Sequence, residues 1–299
     1  EASVALTVGA YIHGAGTLDA NSSTIRIGAS NDIQTQMIGV APDFASSSGG
    51  INKFGYNGDV AFTGAMTVTC GSVGGNWTNA GTSTVTISNH NNKTNNQTGS
   101  LYNLTINNAG NTTLCSTTQT ILGDLIITAG TFDGTGQNLT LTGDASITGT
   151  YRNYGATMDV TGDVTINSSG TIIGDDGSLI FGSLTINGTG RYLATSGTTT
   201  INGSFDNNGT DPTTSFIHYS GTVLIEPPGA SGTDINGSST GTGTVFYNLT
   251  TAATSTVNIV GLNEKMVIEN HLDANAKTRP SGEVRFGKTD ASTAAEGGS

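Results

Sequence analysis

The chain has 299 residues and a net charge of −12, and only ten of its residues are Lys or Arg. This balance argues against a nucleic-acid-binding protein, because neutralising phosphates takes clustered basic side chains. Hydrophobic residues make up 34% of the chain and 44 residues are glycine, a composition that can signal disorder. The apolar residues nevertheless recur at a fixed spacing, which a disordered chain has no reason to keep.

Residues 1–63 are predicted to form an N-terminal strand arm followed by irregular β-coils or a small antiparallel cap. Val4, Leu6 and Val8 alternate with Ala and Thr, so they lie on one face of a strand. That strand fits either the first coil or an extended arm that adds itself to the sheet edge of a neighbouring subunit. Further short strands are expected at 24–27, 35–40, 53–56, 59–62 and 66–70.

Residues 64–263 are predicted to form a β-solenoid, because short motifs recur about every twenty residues. One column of motifs consists of Gly123-Asp124-Leu125, Gly143-Asp144-Ala145, Gly162-Asp163-Val164 and Gly182-Ser183-Leu184. Its glycines are 20, 19 and 20 residues apart. Each repeat holds three short runs in which apolar and polar residues alternate, and Gly, Asn or Asp closes each run.

Three short strands and three turns per repeat describe one coil of an all-β fold, the parallel β-solenoid or β-helix. Neighbouring coils lie ~4.8 Å apart, so each inward side chain stacks on its counterpart in the next coil. No coil has a core of its own, and the stack creates one. The residues expected to point inward are Leu125, Ile127, Ile147, Val164, Ile166, Leu184 and Ile186. The residues expected to point outward are Ile126, Ser146, Thr165 and Thr185.

The solenoid is predicted to contain two related modules, 64–210 and 211–263. The first carries GTSTVTI at 81–87 and, after a polar turn, LYNLTI at 101–106. The second repeats this succession with GTVLI at 221–225 and VFYNLT at 245–250.

These segments resemble those of repeat-rich secreted surface proteins of bacteria and archaea. The matching stretches are residues 75–82, 84–87, 101–106, 123–132 and 246–250. The resemblance implies a solenoid and an extracellular life as an adhesin, a filament or an envelope component. A chain that begins at Glu1 rather than Met also fits an exported protein whose signal peptide has been removed.

Residues 264–299 are a different kind of segment, because they hold five of the ten basic residues. The segment is predicted to be either a C-terminal plug or an arm that docks onto the acidic body of the next subunit. A solenoid end without a cap exposes unpaired strands, which recruit other chains. The residues expected to take part in assembly are Val4, Leu6, Val8, Arg279, Val284, Arg285 and Phe286.

Three sets of residues are candidates for chemistry. Asp124, Asp144 and Asp163 share a column, where either Ca²⁺ relieves the repulsion of stacked carboxylates or the carboxylates point into water from ordinary Gly-Asp corners. Cys70 and Cys115 form a disulfide or remain two free buried thiols. Thirteen Asn-x-Ser/Thr sequons occur. The glycosylation candidates among them are Asn76, Asn96, Asn111, Asn187, Asn208 and Asn236.

An enzyme is not expected, because outward positions carry Thr and Ser rather than the converging carboxylates that cleave polysaccharides. No cofactor is expected beyond the candidate Ca²⁺, and no nucleic acid or membrane span. The leading hypothesis is an extracellular structural protein whose subunits assemble head to tail into a filament or sheath. The alternative is a cell-surface adhesin or phage-type receptor-binding β-helix that recognises glycans.

Overall fold

The structure is a computed structural model that describes residues 6–8, 12–21, 24–27, 33–39, 43–46, 51–55, 59–88, 94–95, 97–228, 232–237, 243–252, 256–260, 265–274, 277–280 and 283–286. The chain divides into two compact units, unit 1 (residues 1–143) and unit 2 (residues 144–299). The domain boundaries expected from the sequence, after residues 63 and 263, do not coincide with this division.

Unit 1 consists of short strands. Their bounds are β1 (Leu6–Val8), β2 (Ile12–Asn21), β3 (Thr24–Ile27), β4 (Ile33–Gly39), β5 (Asp43–Ser46), β6 (Ile51–Phe54), β7 (Asp59–Phe62), β8 (Thr67–Val73), β9 (Asn76–Asn79), β10 (Thr84–Ser88), β11 (Thr94–Asn95), β12 (Thr98–Leu101), β13 (Asn103–Cys115), β14 (Gln119–Ile121), β15 (Leu125–Asp133) and β16 (Leu139–Leu141).

Unit 2 consists of strands and one four-residue helix. Their bounds are β17 (Ala145–Ile147), β18 (Thr150–Arg152), β19 (Thr157–Val160), β20 (Val164–Ile166), β21 (Thr171–Ile173), β22 (Ser178–Phe181), β23 (Leu184–Gly188), β24 (Arg191–Leu193), β25 (Thr198–Ile201), β26 (Phe205–Gly209), α1 (Pro212–Ser215), β27 (Phe216–Ile217), β28 (Thr222–Ile225), β29 (Gly232–Asn236), β30 (Thr244–Thr251), β31 (Thr256–Val260), β32 (Lys265–Ala274), β33 (Lys277–Pro280) and β34 (Glu283–Phe286).

In unit 1 the strands pair in parallel, each with the equivalent strand one coil away. One layer runs β1, β3, β5, β8, β10, β13, β15, and within it Val85 pairs with Val68 on one side and Leu104 on the other. The pairing of β1 with β3 is parallel as well. The described strands of the N-terminal part therefore pair as parallel coils and not as an antiparallel cap.

In unit 2 three parallel layers are clear. The first runs β17, β20, β23, β26, β29, β31, β33; the second β18, β21, β24, β27; the third β19, β22, β25, β28, β30, β32, β34. The last two strands continue these ladders, since Arg279 pairs with Asn258 and Phe286 with Ile268. The described strands of the C-terminal segment, β32, β33 and β34, therefore continue the stack. The predicted parallel β-solenoid with coils of about twenty residues is confirmed.

The predicted inward and outward faces are also confirmed. In unit 2, Ile147, Ile166 and Ile186 form one row in direct register, and each is fully buried. In unit 1, Ile127 is buried and pairs with buried Ile106, whereas Ile126 is 41% exposed. The alternation follows from the period of two in a strand, which sends neighbouring side chains to opposite faces.

Aromatic clusters occupy the interior of both units. In unit 1, the Phe44 ring lies 5.0 Å from Phe54, and the Trp77 ring lies 6.3 Å from Phe62. In unit 2, the Phe216 ring lies 5.5 Å from Phe205 and 5.1 Å from Phe246. Each fully buried Phe contributes about 2–3 kcal/mol of burial free energy. These rings compensate for the few apolar residues that each coil supplies.

Candidate functional site

The aspartate column consists of exposed corner residues. Asp124, Asp144 and Asp163 each directly precede the first inward residue of their coil, and all three are exposed. In unit 2 the Asp144 carboxylate accepts a hydrogen bond of 2.8 Å from the Asp163 N–H. In unit 1 the Asn103 side-chain oxygen accepts the equivalent bond, 2.9 Å long, from the Asp124 N–H. An oxygen at this position therefore satisfies a backbone N–H of the next coil.

This geometry agrees with the corner interpretation of the column. No group of three or more His, Cys, Asp or Glu close enough to hold a metal ion occurs in the described ranges, which include all three aspartates. Ca²⁺ binding at the aspartate column stays a prediction.

The predicted disulfide between Cys70 and Cys115 is not formed, because both cysteines are free and buried. The register within unit 1 explains why. Cys115 pairs with Asn95, and Asn95 pairs with Val73, so Cys115 lies two coils away from Val73. Val73 is on β8, three residues after Cys70. Two coils alone amount to about 10 Å, whereas a disulfide needs Cα atoms within ~7 Å.

The sequon asparagines differ in their accessibility. Asn76, Asn111 and Asn208 are exposed, whereas Asn187 is half-buried. The Asn236 amide is also half-buried and donates a hydrogen bond to the Asp206 carboxylate. Asn96 lies outside the described residues. Glycosylation of these sites stays a prediction.

The residues expected to take part in assembly lie on the outermost strands of the two units. Leu6 and Val8 are on β1, which pairs with β3 alone among the described strands. Arg279 is on β33, and Val284, Arg285 and Phe286 are on β34. Among the described strands, β33 pairs only with β31 and β34 pairs only with β32. Val4 lies outside the described residues.

A surface pocket of about 550 Å³ lies beside α1 in unit 2, lined by Arg191, Asp211, Thr214 and neighbouring small residues. The Asp211 carboxylate accepts hydrogen bonds from the Thr213 hydroxyl at 2.7 Å and the Thr213 N–H at 3.0 Å, and so caps the helix. These bonds hold the pKa of Asp211 below its ordinary value. The Arg191 guanidinium donates to the Thr214 carbonyl at 3.3 Å. Both charged groups therefore serve the local fold.

The corners between the second and third layers of unit 2 carry another group of side chains. These corners are four residues long in each coil. The second-layer strands end in register just before them, at Arg152, Ile173, Leu193 and Ile217, and the third-layer strands begin in register just after them. The four corners are 153–156, 174–177, 194–197 and 218–221. Their second positions form a column of Tyr154, Asp175, Thr195 and Tyr219.

Tyr154 is held in place from two sides. Its ring packs under the Arg152 guanidinium, 3.9 Å from the ring centroid. Arg152 in turn forms an ion pair of 3.4 Å with Asp175, whose carboxylate also accepts a hydrogen bond of 3.2 Å from the Tyr154 N–H. The ring is therefore held by a cation–π contact, and its backbone N–H and the Arg152 side chain are held by a carboxylate from the next coil.

The Tyr219 turn is fixed through His218. The His218 Nδ1 accepts a hydrogen bond of 3.0 Å from the Ser220 N–H, and its Nε2 lies 3.4 Å from the Glu269 carboxylate. The His218 ring also stacks on Tyr247 at 5.6 Å. Three neighbours thus position the turn whose tip is Tyr219.

Sequence reasoning does not identify the two tyrosines of this column. Tyr154 and Tyr219 have φ of +54° and +43°, a left-handed conformation that favours Gly or Asn. Sequence rules place Gly, Asn or Asp at such corners, so a tyrosine there is not anticipated.

No helix in the described part of the chain has the length and hydropathy needed to cross a membrane. Comparisons with family models, curated proteins and solved structures find no match for this chain, so its family stays undetermined and the likeness to secreted surface proteins rests on the quoted segments.

Proposed function

We propose that the protein is an extracellular, non-enzymatic structural subunit that needs no cofactor and assembles head to tail into a filament or sheath. The observation that supports this most directly is the one-sided pairing of the outermost described strands, β1 in unit 1 and β33 and β34 in unit 2. A strand with an unpaired edge presents N–H and C=O groups to which another strand can bind. A head-to-tail contact that does not close continues into a polymer.

Charge supports the same direction of assembly. Residues 1–263 contain 16 acidic and 5 basic residues, whereas residues 264–299 contain 5 basic residues among only 36 positions. Residues 264–299 also hold 6 acidic residues, so the excess of basic residues is confined to the last two strands, β33 and β34, which carry three basic residues and one acidic residue. A basic outermost strand that meets the acidic remainder of another copy has favourable electrostatics. Assembly driven this way weakens as salt screens the charges.

Proline substitutions in β1 test the proposal. Successive N–H groups of a strand point to opposite sides, so of the neighbours Leu6 and Thr7 one directs its N–H at β3 and the other at the open edge. We expect one of Leu6→Pro and Thr7→Pro to abolish polymers while keeping the wild-type melting temperature. Sedimentation velocity measures the polymers, and Thr7→Ser is the control. If both proline variants fold and still polymerise as the wild type does, β1 is not the assembly edge.

The alternative function is glycan recognition by the outer faces of the coils, as in an adhesin. The exposed tyrosines of unit 2 favour it, because aromatic rings stack on the apolar faces of sugars. Binding of a glycan array by a strictly monomeric species would support this alternative, and its absence would leave assembly as the sole proposal.

A further inference from the structure

We propose that one edge of unit 2 is a binding site for a neutral oligosaccharide. The site is the corner strip, which we define as Tyr154, Asp175, Asp176, Ser196 and Tyr219. This inference rests on the glycan-recognition alternative and specifies where and what the protein binds. It does not require the subunits to polymerise.

Two exposed aromatic rings mark the ends of the corner strip. Among the large hydrophobic side chains that the structure describes, only Tyr154 and Tyr219 combine an aromatic ring with substantial exposure, 42% and 53%. Both occupy the second position of a corner, and the register places them three coils apart. At ~4.8 Å per coil this separation is about 14 Å, which is longer than one sugar ring and suits a short oligosaccharide.

Backbone strain at both tyrosines points to a role outside folding. A bulky residue at positive φ costs about 1–3 kcal/mol, and such residues cluster at binding sites. Positive φ occurs at the second position of three of the four corners, since Asp175 between the two tyrosines has φ of +51°, and Ser220 after Tyr219 has φ of +63°. The observation specific to Tyr154 and Tyr219 is that a bulky aromatic residue occupies this conformation. Folding alone favours Gly or Asn at these positions. Retaining a strained ring is expected where the ring itself binds something.

Polar groups lie between the two rings. Asp176 and Ser196 occupy the third position of their corners and are both exposed. The Asp176 carboxylate can accept hydrogen bonds from sugar hydroxyl groups, and the Ser196 hydroxyl can accept or donate them. The Thr195 side chain is buried and donates a hydrogen bond of 2.6 Å to the Gly177 carbonyl, so it does not contribute to the surface of the strip.

The charge of the strip selects the class of ligand. Between the rings, the Asp175 charge is paired with Arg152, whereas Asp176 is exposed, and the whole chain carries a charge of −12. Nucleic-acid bases also stack on tyrosine, but phosphates or sulfates would meet the Asp176 carboxylate and the negative charge of the chain and be repelled. A neutral polyhydroxylated chain has apolar ring faces for the tyrosines and hydroxyl groups for the aspartates. It is therefore the ligand that fits both features.

Calorimetric titration of the full chain with soluble hexasaccharides of glucose, N-acetylglucosamine and mannose tests the site. We expect at least one neutral hexasaccharide to bind, and a heparin-derived anionic hexasaccharide to bind more weakly. Tyr154→Ala and Tyr219→Ala should each weaken binding about tenfold, the effect of losing one aromatic contact. Tyr154→Phe keeps the ring and should keep the affinity.

Two further variants separate a binding role from a structural one. Tyr219→Asn relieves the positive φ, since Asn tolerates that conformation, so the melting temperature should not fall while affinity drops about tenfold. Tyr102→Ala, a tyrosine of unit 1, is the control and should leave affinity unchanged.

Each outcome has a definite meaning. Binding by the wild type that is unaffected in both tyrosine variants would overturn the corner strip but leave glycan recognition standing. The absence of binding to every neutral hexasaccharide would overturn both. Tighter binding of the anionic hexasaccharide would overturn the assignment of a neutral ligand.

Discussion

The glycines at the corners of unit 1 carry two separate constraints, backbone conformation and close approach of the neighbouring coil. Gly110 and Gly130 both have positive φ, +72° and +81°. A Cβ on Gly130 would lie 2.2 Å from the Asn108 carbonyl oxygen, whereas a Cβ on Gly110 would meet nothing within 4 Å. The pair therefore separates the cost of the conformation from the cost of the clash.

We expect Gly110→Ala to lower the free energy of unfolding by about 1–2 kcal/mol, the cost of a left-handed alanine. Gly130→Ala should cost about 1–3 kcal/mol more, because the backbone of the neighbouring coil must move. Urea titration of the two variants measures the difference. Equal losses would show that neighbouring coils do not approach as closely as the structure describes.

Three buried titratable side chains make the fold sensitive to alkaline pH. Burial raises the pKa of Cys70 from 9.0 to about 12. Burial, with a smaller contribution from the Asp133 carboxylate, raises the pKa of Cys115 well above its ordinary value, and burial does the same for Tyr192 despite its hydrogen bond with Thr199. Each group is therefore protonated in the folded state at pH values where the unfolded chain has lost the proton.

Since these pKa values are raised, the stabilisation is complete below about pH 9 and is lost as pH rises from 9 toward 12. We expect the melting temperature to fall steeply across this window.

Both thiols should also resist a thiol reagent at pH 8 in the folded protein and react fully in denaturant. Rapid labelling of either thiol in the native protein would contradict their burial.

At the scale of the strand, the unit of stability is the row of identical positions across coils. Ile166 pairs with Ile147 on one side and Ile186 on the other, and all three are fully buried. Its neighbour Thr165 points outward and is half-buried. The two positions share a strand but differ in the face they occupy.

Ile166→Ala should lower the free energy of unfolding by about 2–5 kcal/mol, because the cavity is enclosed by the coils on either side. Thr165→Ala should change it by about 0.5 kcal/mol or less. Chemical denaturation of the two variants provides the comparison. Similar losses from both would mean that the row is not the core.

Regular elements could be predicted because their residues obey two simple rules, a twenty-residue period and a strict alternation. These rules placed Thr24–Ile27 and Asp59–Phe62 as strands with the bounds the structure has, and they identified the Ile166 row. The disulfide prediction failed because 45 residues amount to about two coils. Residues two coils apart are about 10 Å from one another even within one column, which is too far for a disulfide.

The corner strip could not be predicted for a different reason. Its tyrosines lie in a backbone conformation that sequence rules assign to Gly and Asn, and the carboxylates that hold their surroundings, Asp175 and Glu269, come from other coils. Such contacts depend on the register between coils. That register follows from the fold as a whole and not from any local pattern.

At the scale of the whole molecule, each coil gains its core from its neighbours, and the outermost described strands have a neighbour on one side only. In the proposed assembly, the parallel pairing that joins β1 to β3 and β34 to β32 would also join one copy of the chain to the next. Folding and assembly would then use one kind of contact. Their difference is whether the next strand belongs to the same chain.

Electron microscopy of the purified full chain, over a range of protein and salt concentrations, tests this account most directly. We predict unbranched filaments at low salt that shorten as salt is raised, and their loss in the β1 proline variant that keeps its melting temperature. Single particles at every concentration, from a chain that unfolds cooperatively and is therefore folded, would contradict assembly through the outermost strands.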